Sequence, residues 1–259
     1  MPGVARTKLT LPVSLLLVAI LFLFAFLVPM PYVLITPGSV ADTLGEDGGR
    51  PVVEISGPAA VYPTTGHLLL TTIHASGRDD KRRLASLIGA WWDSEESVVP
   101  RKSVYPDGKS VEQVVETNVK DMVKSQDSAT VAALKYLGKS PDQVKVTLHL
   151  NDVGGPSAGL FFALGIVDKL TEGQLTGGRT IAGTGAIDAN GKVGEIGGLP
   201  MKLLAAKRAG ATVFVLPKGE CGEAGRVGDG GLRLIPVETL SGAVSALEAL
   251  NAGGKVPSC

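Results

Sequence analysis

Cysteine, histidine and aromatic side chains are all scarce in this chain, and so is any excess of charge. Two cysteines among 259 residues are too few for a disulfide-built scaffold or a four-cysteine zinc site. Lys plus Arg number 25 and Asp plus Glu number 25, so the basic footprint of a nucleic-acid binder is missing and no nucleic-acid partner is expected. Glycine is abundant, at 34 residues, but without the three-residue period of collagen, and a hydrophobic content of 44 % excludes a disordered chain. A phosphate loop is missing too. Gly108-Lys109-Ser110 and Gly138-Lys139-Ser140 come nearest, but Ser103 and Ala133 stand where the first glycine is required. No cofactor and no metal site is expected.

Charge is also missing between Lys8 and Asp42, and Leu11 to Met30 within that gap reads LPVSLLLVAILFLFAFLVPM. As a helix this stretch is long enough to cross about 30 Å of hydrocarbon. Arg6 and Lys8 precede it and no basic cluster follows, which predicts a cytoplasmic N-terminus and an exported remainder. The alternative, a cleaved signal peptide, has an apolar core of about 7–15 residues; here the run is longer and Ser39-Val40-Ala41, the nearest cleavage candidate, lies far downstream. The expected layout is a cytoplasmic segment 1–10, a single-pass cell-membrane anchor 11–30 and one extracytoplasmic domain 31–259.

In that domain Tyr32–Thr36, Val52–Ile55 and His67–Ile73 read as short strands separated by Gly and Pro. Asp79 or Asp80 is the expected cap of a helix through Leu84, Leu87 and Ile88 to Trp91, and Trp91-Trp92 reads as core or as a membrane-facing rim. Ser110-Val-Glu-Gln113 fits a capping box opening a helix that Gly138 closes, with a break expected near Ser125–Ser128. Lys145–Leu150 alternates as a strand, and an apolar helix from Ala158 to about Leu170 follows NDVGGPSAG. Asn190-Gly191 marks a hairpin. Pro200–Ala209 and Leu240–Leu250 read as helices and Thr212–Leu216 as a buried strand. Without a regular βαβ period, the expected class is α+β.

Gly155-Pro156-Ser157-Ala158-Gly159 matches G-x-S-x-G, a serine on a turn into a helix whose N-terminus aims free N–H groups at a developing oxyanion. A serine cap on a glycine-rich turn would read the same way. The three histidines, His67, His74 and His149, all precede Ser157, which excludes the Ser…Asp…His order of an α/β-hydrolase. A chymotrypsin-like order with His67 or His74 stays open. Otherwise the base is a lysine, which has to be desolvated to be neutral near pH 7. Lys202 shares a helical face with Ala205, Ala206 and Ala209, beside Leu199 and Leu203, so its stem can be buried. The competing reading is a snorkelling lysine at the boundary.

GGPSAG with its helix, then TIAGTGAI and KVGEIGGLPMKLLAAKRAGATVFVLP, resembles the proteolytic domain of the Lon protease family, and more closely the membrane-anchored, exported Lon-like proteases of Gram-positive bacteria. With GHLLLTT, DSATVAALKYLG and KVTLHL also in order, the resemblance spans roughly residues 60 to 250. It implies a Lon proteolytic-domain fold and an ATP-independent serine endopeptidase acting on exported or surface peptides and proteins. It also implies Ser157 as nucleophile, Lys202 as general base, Thr184 as the hydroxyl that hydrogen-bonds the lysine, and backbone N–H groups near Ser157 and Ala158 as oxyanion donors. Two departures stand out. Gly154 and Ala186 replace acidic residues of the family, and KSPDQV alone joins Gly138 to the strand at Lys145, where the exported relatives carry a PDZ domain. The alternative function is a catalytically inactive membrane-tethered scaffold of the same fold. A ring-like homo-oligomer and a tethered monomer both stay open. Exported topology further predicts a disulfide between Cys221, in a glycine-rich loop, and Cys259, the final residue, the alternatives being a free nucleophilic Cys221 and an intermolecular link through the tail.

Overall fold

The computed structural model describes residues 4–150 and 153–259, with side chains of the first helix from residue 10 onward. Residues 1–3, the Arg6 and Lys8 side chains used to orient the anchor, and Asn151 and Asp152 lie outside the described residues. The chain forms two compact units: Met1–Ile35 with Ala75–Gly108, and Thr36–His74 with Lys109–Cys259.

Helix α1 (Val4–Leu27) contains an uncharged 18-residue stretch, Thr10–Leu27, of which no part is buried in the protein. Strand β1 (Tyr32–Asp42) follows. The sequence predicts that Pro37 and Gly38 end it, but the strand runs through them. A Cβ on residue 38 would lie 2.3 Å from Thr72 Oγ1 and 2.7 Å from the Thr72 carbonyl carbon, so this glycine permits a close backbone approach rather than a turn. A small hairpin, β2 (Glu46–Asp47) with β3 (Arg50–Pro51), leads to β4 (Val53–Ser56) and β5 (His67–Ala75).

Helix α2 (Leu84–Trp92) begins after Arg83, not at the expected Asp79 or Asp80. Asp80 instead accepts from Gly77 N and pairs with Arg82, while Ser86 Oγ and the Arg83 backbone satisfy each other. Strand β6 (Ser97–Pro100) and a single turn, α3 (Arg101–Val104), complete this stretch.

The capping box at Ser110 opens α4 (Val111–Tyr136): Gln113 N donates to Ser110 Oγ and Ser110 N to Gln113 Oε1. The expected break near Ser125–Ser128 does not occur. Thr130 Oγ1 bonds back to Gln126 O, and Ser125 is buried against a neighbouring loop, so these hydroxyls are satisfied without opening the helix. Then come β7 (Lys145–Leu148), α5 (Gly159–Leu170), β8 (Thr180–Gly183) and the hairpin β9 (Ala186–Ile187) and β10 (Val193–Gly194) around Asn190-Gly191. The chain ends with α6 (Leu199–Arg208), β11 (Val213–Pro217), α7 (Cys221–Val227), β12 (Arg233–Val237) and α8 (Leu240–Asn251).

In the larger unit the sheet runs β12-β11-β8-β5-β1, and its first three pairings are parallel. Successive strand residues face opposite sides. Leu68, Leu70, Ile181, Val213 and Val215 join one core, with α4, α5 and α8, while Leu69, Ala182, Phe214 and Leu216 join a second, with α6 and α7. Helix α5 lies inside the first core, and every residue of it except Lys169 is buried. Phe161 and Phe162 are fully buried there, each contributing about 2–3 kcal/mol of burial. In the smaller unit the first residues of β1 pair antiparallel with β6, and Leu34, Leu87 and Ala90 form a small core. The chain is therefore of mixed α/β content, with helices on both faces of a mainly parallel sheet in the larger unit.

Candidate active site

The serine turn lies between β7 and α5. Gly155 has φ +85°, a backbone that a side chain strains, and its N–H is held by Asn118 O at 2.8 Å. Pro156, which has no N–H to satisfy, begins one turn of 3₁₀ helix that runs into α5, and Ser125 Oγ donates to its carbonyl at 2.9 Å. The amides of Ser157 and Ala158 open this helical run, where no intrahelical acceptor precedes them. The carbonyl of Ser157 is tied down twice, by Gly185 N at 2.8 Å and by Thr184 Oγ1 at 3.1 Å. Helix α4 supplies the floor of the turn and the end of β8 its wall.

Lys202 comes from the opposite side of the sheet. Gly198, with φ +72°, starts α6, and a Cβ there would press against the Ile73 side chain at 2.9 Å. Leu199, Leu203, Ala205 and Ala206 are buried around the lysine stem, and Lys202 itself is only 2 % exposed, so it does not snorkel to solvent. Its Nζ donates to Thr184 Oγ1 at 2.9 Å. Burial lowers its pKa from 10.5 to about 8, against an opposing pull from the Glu220 carboxylate. Thr184 is fully buried, its N–H bound to Val215 O at 3.1 Å. One hydroxyl therefore accepts from the lysine and donates to the backbone of Ser157. Among the described residues Lys202 reaches the serine turn through Thr184 rather than by a direct hydrogen bond to the Ser157 hydroxyl.

Two of the three histidines are engaged elsewhere, and the third, His74, is exposed. His67 Nδ1 lies 2.6 Å from Asp42 and His149 Nε2 lies 2.8 Å from Glu54. The other candidate residues fall as follows: Gly155 and Ala158 flank Ser157, and Cys221 and Cys259 are joined by a disulfide, with Cα atoms 5.2 Å apart. Beside the serine turn is a groove of about 400 Å³ whose walls include Asp121, Lys124, Pro156, Ile187, Asp188 and Lys192.

Sequence reasoning does not find Asn118, Ser125 or Glu220. Asn118 and Ser125 lie seven residues apart on α4, a spacing that places them on one face, but they act through backbone atoms of a distant loop. Glu220, 7 % exposed, accepts from Ile196 N at 2.9 Å and sits one residue before Cys221. Nothing in its local sequence separates it from a surface carboxylate.

Residues 113–247, just over half of the chain, match the model of the Lon protease (S16) C-terminal proteolytic domain. The chain belongs to this family. Among similar proteins, Lon protease 2 of Bacillus subtilis (strain 168) is 30 % identical over 176 residues, 66 % of this chain and 28 % of that protein. Lon protease 2 of Herpetosiphon aurantiacus is 32 % identical over 178 residues, 62 % of this chain and 21 % of that protein. Lon protease of Clostridioides difficile (strain 630) is 48 % identical over 67 residues, 26 % of this chain and 8 % of that protein. The match thus spans about a quarter of the length of the first two relatives.

Proposed function

We propose that the protein is an ATP-independent serine endopeptidase, tethered by α1 to the cell membrane with its proteolytic domain outside, and that it cleaves peptides or exported proteins. Ser157 is the nucleophile. Neutral Lys202 takes the proton from its Oγ as the oxygen attacks the scissile carbonyl, and the backbone amides near Ser157 and Ala158 receive the oxyanion. The resulting Lys202 ammonium returns the proton to the leaving amine, leaving an ester on Ser157. Lys202 then draws a proton from water, which hydrolyses that ester. Thr184 orients the lysine, and the groove beside Pro156 receives the substrate chain.

The observation that carries this reading is the buried Lys202, with its pKa near 8, held by a threonine that also binds the backbone of Ser157. At pH 7 about a tenth of such lysines are neutral, against about one in a few thousand for a solvated lysine. The tether is supported by the length, apolarity and exposure of Thr10–Leu27. In the test, purified protein without ATP is given an unstructured polypeptide. Wild type is expected to cleave it, and Lys202→Ala to lose about a thousandfold or more in rate; near-normal cleavage by that variant contradicts the assignment. Protease added to intact, wall-stripped cells is expected to digest residues 31–259, and full protection contradicts the orientation.

A further inference from the structure

Resting on the reading of α1 as a membrane anchor, we propose that α2 is a second membrane contact: a short helix lying in the headgroup region of the bilayer, with Trp91 and Trp92 seated among the lipids. Its sequence, Leu84–Trp92 (LASLIGAWW), contains no charged residue and one hydroxyl. Leu87 and Ala90 face inward, buried against Leu34. At about 100° per residue, Leu84, Ile88, Trp91 and Trp92 fall together on one arc that adjoins the buried face. Leu84 is half-buried, and the rest of the arc faces outward: Trp91 is 85 % and Trp92 87 % exposed, with Ile88 at 40 %. Two adjacent tryptophans left almost wholly outside the protein are costly in water.

The lipid surface is the occupant that the neighbouring chain favours. Helix α1 ends at Leu27, and within three residues the chain is fastened to the start of α2: Met30 N donates to Arg82 O at 2.8 Å and Pro29 bridges to Arg83. Met30 also lines one groove together with Tyr32, Leu87, Ile88 and Trp91, so Trp91 stands a groove's width from the point where the apolar helix ends. If α1 spans the bilayer, that point is its water boundary, the depth at which an amphipathic indole is most at home. Lys81, Arg82 and Arg83 precede the apolar arc and Asp93 follows it, so the uncharged segment is bounded by charge at both ends, as suits a helix lying on a surface rather than crossing it.

These two residues are the only tryptophans of the chain, so the intrinsic tryptophan emission of the full-length protein reports on them alone. The protein is reconstituted into phosphatidylcholine–phosphatidylglycerol vesicles, isolated by flotation, and its emission measured with lipids brominated near the headgroup and with aqueous iodide. The proposal expects blue-shifted emission, quenched about twofold or more by the brominated lipid and little by iodide. If the protein floats but iodide quenches and brominated lipid does not, the tryptophans face water; the proposal fails and the anchor stands. If neither quencher acts, protein covers them, a second copy being the available source, and the proposal again fails. A chain that does not float with the vesicles refutes the anchor and this inference together.

Discussion

The single most costly residue of the proposed site is Lys202. An ammonium whose pKa falls from 10.5 to about 8 on folding destabilises the native state by about 3 kcal/mol at neutral pH. The unfolded chain holds its proton up to about pH 10.5 and the folded one only to about pH 8. The penalty is therefore full below pH 8, shrinks as pH rises through the interval between the two values, and is absent above it. Lys202→Met keeps the apolar contacts of the stem without the charge. It is expected to abolish peptide cleavage yet raise the thermal midpoint at pH 7, with the advantage fading toward pH 10.5. Calorimetry at several pH values checks this; a variant less stable than wild type at pH 7 contradicts it. Lys202 and Ser157 were both readable as candidates, from an alanine-flanked helical face and a glycine-framed turn. Glu220 was not, because burial of a carboxylate depends on what the rest of the chain packs over it.

Among the elements, those whose signals are local stood out in the sequence. The Ser110 capping box, the apolar α5 and the alternating β7 depend on neighbours within a turn or two. Tertiary contact decides the others. Strand β1 passes through Pro37 and Gly38 because its neighbour comes too close for a side chain, α4 continues past Ser125 because the serine turn uses that hydroxyl, and β12 carries too little pattern to be recognised without β11 beside it. Close approach is also the key to β8. A Cβ on Gly183 would lie 2.2 Å from Val215 O and 2.6 Å from the Phe161 ring, so the strand beneath Thr184 has no room for even a methyl group. Gly183→Ala is expected to lower the thermal midpoint by about 5 °C or more through overpacking. Gly173→Ala, at an open position, serves as the control and is expected to leave it within about 2 °C. Equal midpoints for the two variants would contradict the packing described here.

For the molecule as a whole, the disulfide from Cys221 to Cys259 fixes the C-terminus to the segment that carries Glu220. It closes a separation of 38 residues, a constraint of about 3–4 kcal/mol in the chain-entropy description. Cys259→Ser is expected to lower the thermal midpoint by about 6–12 °C, while intact mass under non-reducing conditions shows two free thiols fewer in wild type than after reduction. Unchanged stability, or two free thiols in the protein isolated from cells, contradicts a structural role for the bond. The architecture then amounts to a lysine buried on one face of a sheet and a serine turn on the other, meeting at Thr184 at the end of β8. The most direct measurement of that arrangement is the rate at which a fluorophosphonate modifies the full-length protein, followed by intact mass and peptide mapping as a function of pH. A single adduct on Ser157 is expected, forming at a rate that rises with pH, with its midpoint near pH 8 as Lys202 loses its proton, and lost in Lys202→Ala. An adduct on another residue, or Ser157 labelling that is unchanged in Lys202→Ala, would contradict it.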